Sequence, residues 1–103
     1  MALHVSLLEA LAKGPPPPGN LAIPVFAQGP LEVELYTPQG QDTQKPHDRP
    51  ECYVVARGHG KFFDGVNRQD VQEGAFLFVP PGQVHRFEDF SPDFAVWVIF
   101  YGP

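Results

Sequence analysis

Apolar residues recur at helical spacing near the start of the chain and in short strand-length runs, some alternating and some continuous, over most of the rest. In residues 2–14, ALHVSLLEALAKG, the residues Leu3, Leu7 and Leu11 fall on one face, widened by Leu8, and predict a single helix. Glu9 and Lys13 form a favourable i,i+4 pair. Gly14 suits the position just past a helix end, and Pro15 to Pro18 cannot continue the helix. A proline tetrad has the composition of an SH3 ligand, but its plainer role is a stiff extended connector.

From Asn20 onward the signals are strands and turns. LAIPVFA predicts a first strand, with Pro24 placing it at an edge or a bulge. In LEVELYT, Leu31, Val33 and Leu35 face one way and Glu32 and Glu34 the other. ECYVVAR follows, then KFFDGVNRQDV with a hairpin turn at Asp64-Gly65. AFLFV ends at Pro80-Pro81-Gly82, VHRFED resumes, and DFAVWVIFY closes the chain. AFLFV and FAVWVIFY are apolar at consecutive positions, so both of their faces need cover. One face lines a core; the other must meet the helix, a second sheet or another subunit. A homodimer is the expectation.

Composition sharpens this picture. At 103 residues there is room for one hydrophobic core. Thirteen prolines and nine phenylalanines point to many short strands between turns. A net charge of −5, with no basic cluster, leaves no case for a nucleic-acid partner. The longest apolar run is too short to cross a membrane as a helix, and no signal-peptide pattern opens the chain. The lone Cys52 forms no internal disulfide. Together these predict a soluble, cytoplasmic protein without membrane partners.

Chemistry concentrates at two histidines. His4 lies in the expected helix and His59 in a Gly-flanked turn, and both read as surface residues. His47 and His85 each stand beside a turn at a strand, and Glu51 follows His47 at four residues. Two imidazoles and a carboxylate suit a first-row divalent metal, in the facial arrangement that leaves positions open for oxygen or substrate. Such a set means nothing unless the fold brings its members together.

Residues 74 to 89, GAFLFVPPGQVHRFED, carry Gly74, Pro80, Gly82 and His85 at the marks Gly-x5-Pro-x-Gly-x2-His-x3-Asn, with Asp89 at the Asn position. His47, Glu51 and Gly58 match the latter part of His-x-His-x3-Glu-x6-Gly. These two ordered motifs resemble those of the cupin superfamily, and in particular its small single-domain bacterial members. The resemblance implies an all-β fold, a small jelly-roll barrel over residues 20–103 preceded by a helix and proline connector over residues 1–19. It also implies that His47, Glu51 and His85 hold a metal, whether iron, manganese, nickel or zinc, inside the barrel. Mechanically, Gly74 lets the chain enter its strand without a Cβ clash, and Pro80 and Gly82 form the reversal before His85. His85 and Phe87 then point inward, and Lys45, His47, Glu51 and Tyr53 share a face if their strand is unbroken.

The family pattern usually has a third histidine where Lys45 stands. An ammonium ~5 Å from a divalent ion would be repelled by roughly 7 kcal/mol at an effective dielectric near 20. Three arrangements remain open. Lys45 swings aside from a three-ligand site and steers a substrate; or it pairs with Glu51 and replaces the metal's charge; or all four are packed remnants. Retention of His47, Glu51 and His85 together favours the first, because buried imidazoles and carboxylates are costly without partners.

The cupin resemblance does not choose a reaction. It implies a barrel that binds a small organic ligand near the metal, lined by aromatics drawn from Tyr53, Phe76, Phe78 and Phe87. The leading expectation is a metal-dependent oxygenase or isomerase acting on a small carboxylate or carbonyl compound. The alternatives are a non-catalytic or metal-free binding or sensor module, and a metal-independent epimerase. No catalytic acid or base stands out, and Lys45, Tyr53 and Phe87 are candidates for contacting the substrate or supporting the metal ligands.

Overall fold

The computed structural model describes residues 2–102, along which one short helix precedes eight strands. Helix α1 spans Leu7–Leu11, shorter than the run of leucines predicts. Ser6 is the reason. Its hydroxyl accepts from the Glu9 N–H (3.1 Å) while the Glu9 carboxylate accepts from the Ser6 N–H (3.0 Å), a capping box that starts the helix at Leu7. Glu9 thus closes the cap, where the sequence suggested a pair with Lys13. Leu3 precedes the helix, and Leu8 is 73% exposed instead of widening the buried face. The face that does pack carries Leu7, Ala10 and Leu11.

Strands β1 (Ile23–Gln28), β2 (Leu31–Tyr36), β8 (Ala95–Phe100), β3 (Glu51–Arg57) and β6 (Phe76–Val79) form one antiparallel sheet in that spatial order. Strands β5 (Arg68–Gln72), β4 (His59–Phe63) and β7 (Arg86–Glu88) form the second. Pro24 lies on the edge strand β1, where the register slips between Pro24 and Phe26, so its missing N–H costs no ladder bond in the sheet interior. The β4–β5 hairpin is closed by the Asp64 side chain, which accepts from the Val66 and Asn67 N–H groups. His59 opens β4 and is exposed. This is the all-β jelly-roll architecture with a short N-terminal helix.

The core lies between the sheets and is aromatic. Phe87 is packed against Tyr53, Phe62 and Phe94 at ring-centroid separations of 5.1, 5.3 and 5.0 Å. On the outer side of the larger sheet, α1 covers Ile23, Leu35 and Ala95, with Trp97 beside them. Beyond the helix the outer face continues through Cys52 paired with Phe78 and Ile99, and Val54 paired with Phe76 and Trp97. Phe76 and Phe78 are 63% and 54% exposed. The expectation that these two line the barrel is therefore corrected. The β3–β6 register turns Leu77 and Val79 inward, and period-two alternation sends their neighbours out. On β2 the alternation holds, but Leu35 faces the helix while Glu34 faces the interior.

The motif glycine Gly74 has φ +92°, and apart from its two chain neighbours nothing lies within 4 Å of where its Cβ would be. Its requirement is the left-handed backbone, not the close approach the sequence suggested. Asp89 has φ 49°, a conformation that Asp and Asn tolerate best among residues with side chains.

Candidate metal centre

The chain from Thr37 to Pro50 forms no regular element, and Pro46 and Pro50 interrupt it. It is this loop, not a continuation of β3, that delivers His47. The Gly82 N–H donates to the His47 carbonyl at 2.7 Å, so the Pro-Pro-Gly reversal before His85 holds the His47 loop directly. Glu51 is the first residue of β3, and His85 immediately precedes β7. Donor atoms of His47, Glu51 and His85 lie within 4.8 Å of one another. His85 Nε2 is 2.9 Å and His47 Nε2 is 3.7 Å from Glu51 Oε1. Two ligands at right angles about a first-row ion, each ~2.1 Å from it, would be ~3.0 Å apart. The spacing fits a shared cation.

The chemistry of the donors fits as well. Glu51 is 1% exposed, yet neither of its carboxylate oxygens accepts a hydrogen bond within the protein. A buried carboxylate left in this state is strongly unfavourable unless a cation or a proton donor sits against it. His85 Nδ1 lies 2.8 Å from the Gln83 carbonyl. A carbonyl only accepts, so Nδ1 carries the hydrogen and, in the neutral ring, Nε2 presents its lone pair toward Glu51. Burial pulls the His85 pKa down, but the Glu51 carboxylate and the Gln83 carbonyl outweigh it and leave the pKa raised. Without a metal, a proton on Nε2 is thus the next available countercharge for Glu51.

The remaining sequence candidates separate clearly. Lys45 is exposed and lies outside this group, one residue along a loop from an inward-facing Gln44. Tyr53 is buried, with its hydroxyl 3.0 Å from His85 Nε2 and 2.9 Å from Gln44 Oε1. Burial, then the Glu51 charge, pushes its pKa well above the usual phenol value, so it acts as a donor and not as a base. Phe87 is in the core beneath Tyr53, and its backbone N–H donates to Asp42 at 2.8 Å.

Three residues near the site carry no motif. Asp42 is buried and accepts from Tyr36 Oη, the Gln44 N–H, Gln44 Nε2 and the Phe87 N–H. Gln44 bridges Asp42 to His85. Glu34 faces the site across a cavity of about 340 Å³, which also touches Leu21, Tyr36, His47, Glu51 and Tyr53. Burial, followed by the Glu32 charge, raises the Glu34 pKa. Only the alternation of LEVELYT held any signal for Glu34, because it set the glutamates on the face opposite the leucines. At the rim, Arg49 pairs with Glu32 at 3.1 Å and covers the Phe100 ring.

Two layered antiparallel sheets with histidines and a glutamate converging at one end of a jelly roll define a class in which metals are commonly bound. The sequence matches the cupin domain family model over residues 32–101, and the chain belongs to that family. An uncharacterized protein of Streptomyces coelicolor is 37% identical over 62 residues, spanning 60% of this chain and 59% of that protein. This chain therefore matches somewhat over half the length of that relative. Among solved structures, a protein of unknown function from Rhizobium leguminosarum aligns over all of both chains with a TM-score of 0.76 at 14% identity. A cupin-2 domain protein from Shewanella frigidimarina aligns over 95% of this chain and 94% of its own, with a TM-score of 0.75 at 13% identity. A Ralstonia eutropha protein provisionally assigned as a mannose-6-phosphate isomerase aligns over 99% and 100%, with a TM-score of 0.73 at 18% identity. At these identities the structural likeness shows the fold alone.

Proposed function

We propose that this cupin holds a divalent metal through His47, Glu51 and His85 and binds a small organic ligand in the adjoining cavity, acting as a metal-dependent oxygenase or isomerase. The observation that carries the reading is the buried Glu51 carboxylate, whose two oxygens accept no hydrogen bond while the neighbouring His85 ring is neutral. A divalent ion bound there would supply Lewis-acid polarisation of a substrate oxygen or, if redox-active, oxygen chemistry. The chain's own residues would do the rest. Leu21, Val98 and Phe100 supply apolar wall that excludes water, and Glu34 and Tyr36 supply polar contacts. The Tyr53 hydroxyl holds its proton and can donate it as a hydrogen bond to an oxygen beside the metal ligands. Glu34 on the cavity wall can accept a hydrogen bond from a ligand hydroxyl.

The outer face supports a homodimer. Phe76, Phe78, Cys52, Val54 and Ile99 form an apolar strip that α1 leaves open, and a second copy would cover it. The metal and cavity residues named fall within residues 20–103, whereas Val5, Leu7, Ala10 and Leu11 cover the opposite side of the sheet. A lone thiol needs no oxidising compartment, which fits a cytoplasmic location. Among the described residues no helix is long and apolar enough to cross a membrane.

The test is metal content by elemental analysis of untagged protein, beside His47→Ala and His85→Ala. Near-stoichiometric manganese, iron, nickel or zinc in the parent, lost in both variants, is the expected result. A parent that is empty and cannot be loaded anaerobically ends the reading and turns the search to metal-free ligands and a sensor role.

A further inference from the structure

We propose that Gln44 is itself a metal ligand through its side-chain oxygen, and that Asp42 is the residue that fixes the amide in the ligating orientation. The inference rests on the metal reading above and adds a donor that neither motif contains. Gln44 Oε1 is 3.0 Å from His85 Nε2, nearly the separation between that nitrogen and Glu51 Oε1, 2.9 Å. Both distances match the ~3.0 Å edge between adjacent ligands on one first-row ion.

The amide orientation follows from its other end. Gln44 Nε2 is 2.6 Å from Asp42 Oδ2, and the Gln44 backbone N–H donates to Asp42 Oδ1 at 3.0 Å. A carboxylate oxygen accepts, so the NH2 group belongs on the Asp42 side and the carbonyl oxygen on the His85 side. Asp42 cannot turn away, since Tyr36 and the Phe87 backbone hold it as well. The side chain is therefore pinned before any ion arrives, which lowers the ordering cost of binding.

The convergence of acceptors in the same cluster gives a second argument. With Nδ1 donating to Gln83, the neutral His85 ring offers a lone pair at Nε2. Gln44 Oε1 and Glu51 Oε1 both approach that lone pair, and the Tyr53 hydroxyl brings the single hydrogen to the Gln44 side of the cluster. With the ring neutral, one hydrogen cannot separate three acceptors; a metal ion between them would, and in its absence a proton on Nε2 takes that place. Gln44 thus takes over, from the adjacent chain position, the part that an exposed Lys45 does not play. An amide oxygen in place of a third imidazole gives a harder donor set, which favours manganese(II) or iron(II) over softer ions.

The test titrates apo protein with Mn²⁺ and Co²⁺ for the parent, Gln44→Leu, Gln44→Glu, His85→Ala and Lys45→Ala, and records visible absorption of the Co²⁺ forms. Melting of each apo form reports folding. Gln44→Leu is expected to weaken Mn²⁺ binding roughly 10–100-fold and to change the Co²⁺ spectrum, while Lys45→Ala changes neither. Gln44→Glu keeps an oxygen donor but loses the N–H that Asp42 holds, so it is expected to alter the Co²⁺ spectrum. Unchanged affinity and spectrum in folded Gln44→Leu would overturn the inference while loss in His85→Ala leaves the three-ligand site standing. Should Gln44→Leu not fold, an unchanged Co²⁺ spectrum in a folded Gln44→Glu overturns it equally, because a carboxylate in place of a ligating amide must alter the absorption of the ion. A parent that binds neither ion removes both readings.

Discussion

Replacing Asp42 with alanine should be among the most damaging single changes outside the aromatic core, although no motif marks the residue. Four donors converge on its carboxylate: the Tyr36 hydroxyl at 2.5 Å, the Phe87 N–H at 2.8 Å, and the Gln44 backbone and side-chain N–H groups at 3.0 and 2.6 Å. Gln44 is only part-buried and can turn its donors to water. Tyr36 and Phe87 are buried and cannot. Leaving a buried donor unsatisfied costs about 1–3 kcal/mol, so two of them give ~2–6 kcal/mol. Burial, then the hydrogen bond to Asp42, holds the Tyr36 hydroxyl protonated well above the usual phenol range, so it stays a donor throughout the working pH range. The assay is urea unfolding of the apo protein for Asp42→Ala, Tyr36→Phe and the double variant. The two single losses should fail to add, with a coupling of ~1 kcal/mol or more, because each removes the same contact. A domain of this size shifts its Tm by ~4–8 °C per kcal/mol, so the effect is also visible by heat. A loss below ~1 kcal/mol for Asp42→Ala, or full additivity, would refute the account of Asp42 as the anchor of this network.

Other consequences follow from the same contacts. In the apo protein the raised His85 pKa means that the folded state binds the proton more tightly than the unfolded chain. That stabilisation is complete below the ordinary histidine value of about 6.5 and is lost as pH rises through the raised value; apo melting temperature should fall over that interval. Metal needs the deprotonated Nε2, so the stabilisation by added Mn²⁺ should grow over the same interval, and parallel pH trends with and without metal would contradict the shared role of His85. Leu35→Ala removes a fully buried side chain between α1 and the sheet and should cost about 2–5 kcal/mol in urea unfolding, with metal content unchanged. Phe78→Asp, on the open outer strip, should convert a dimer to a monomer in sedimentation while the melting of the monomer changes little; a parent already monomeric at high concentration removes the dimer reading.

How far the sequence carried depended on whether an element was regular. Short apolar runs, alternating in LEVELYT and continuous in AFLFV and FAVWVIFY, located the strands to within a residue or two, because turn residues bound each run. The N-terminal helix was longer in prospect than in fact, since leucine spacing extends through residues 3–6, whereas the reciprocal bonds of Ser6 and Glu9 set where the first turn begins. His85 could be placed inward by parity because it lies one residue ahead of β7 and after a reversal of known form. The same reasoning applied to Lys45 and His47 presumed an unbroken strand, and Pro46 and Pro50 break it.

That break explains why the sequence drew attention to Lys45 and passed over Gln44. Motif spacing compares positions, and the position that usually bears the first histidine bears a lysine here. In a strand the adjacent residue would point to the opposite face, so nothing at 44 could substitute for 45. In an irregular loop no such parity applies, and the inward direction goes to whichever side chain has partners waiting inside. Gln44 has three, Asp42, Tyr53 and His85, while an ammonium at 45 gains most from water. Asp42 decides the competition, because its two oxygens hold both the backbone and the side chain of Gln44. A lysine at the expected ligand position is thus compatible with a metal centre in this barrel, provided that the loop presents its neighbour instead.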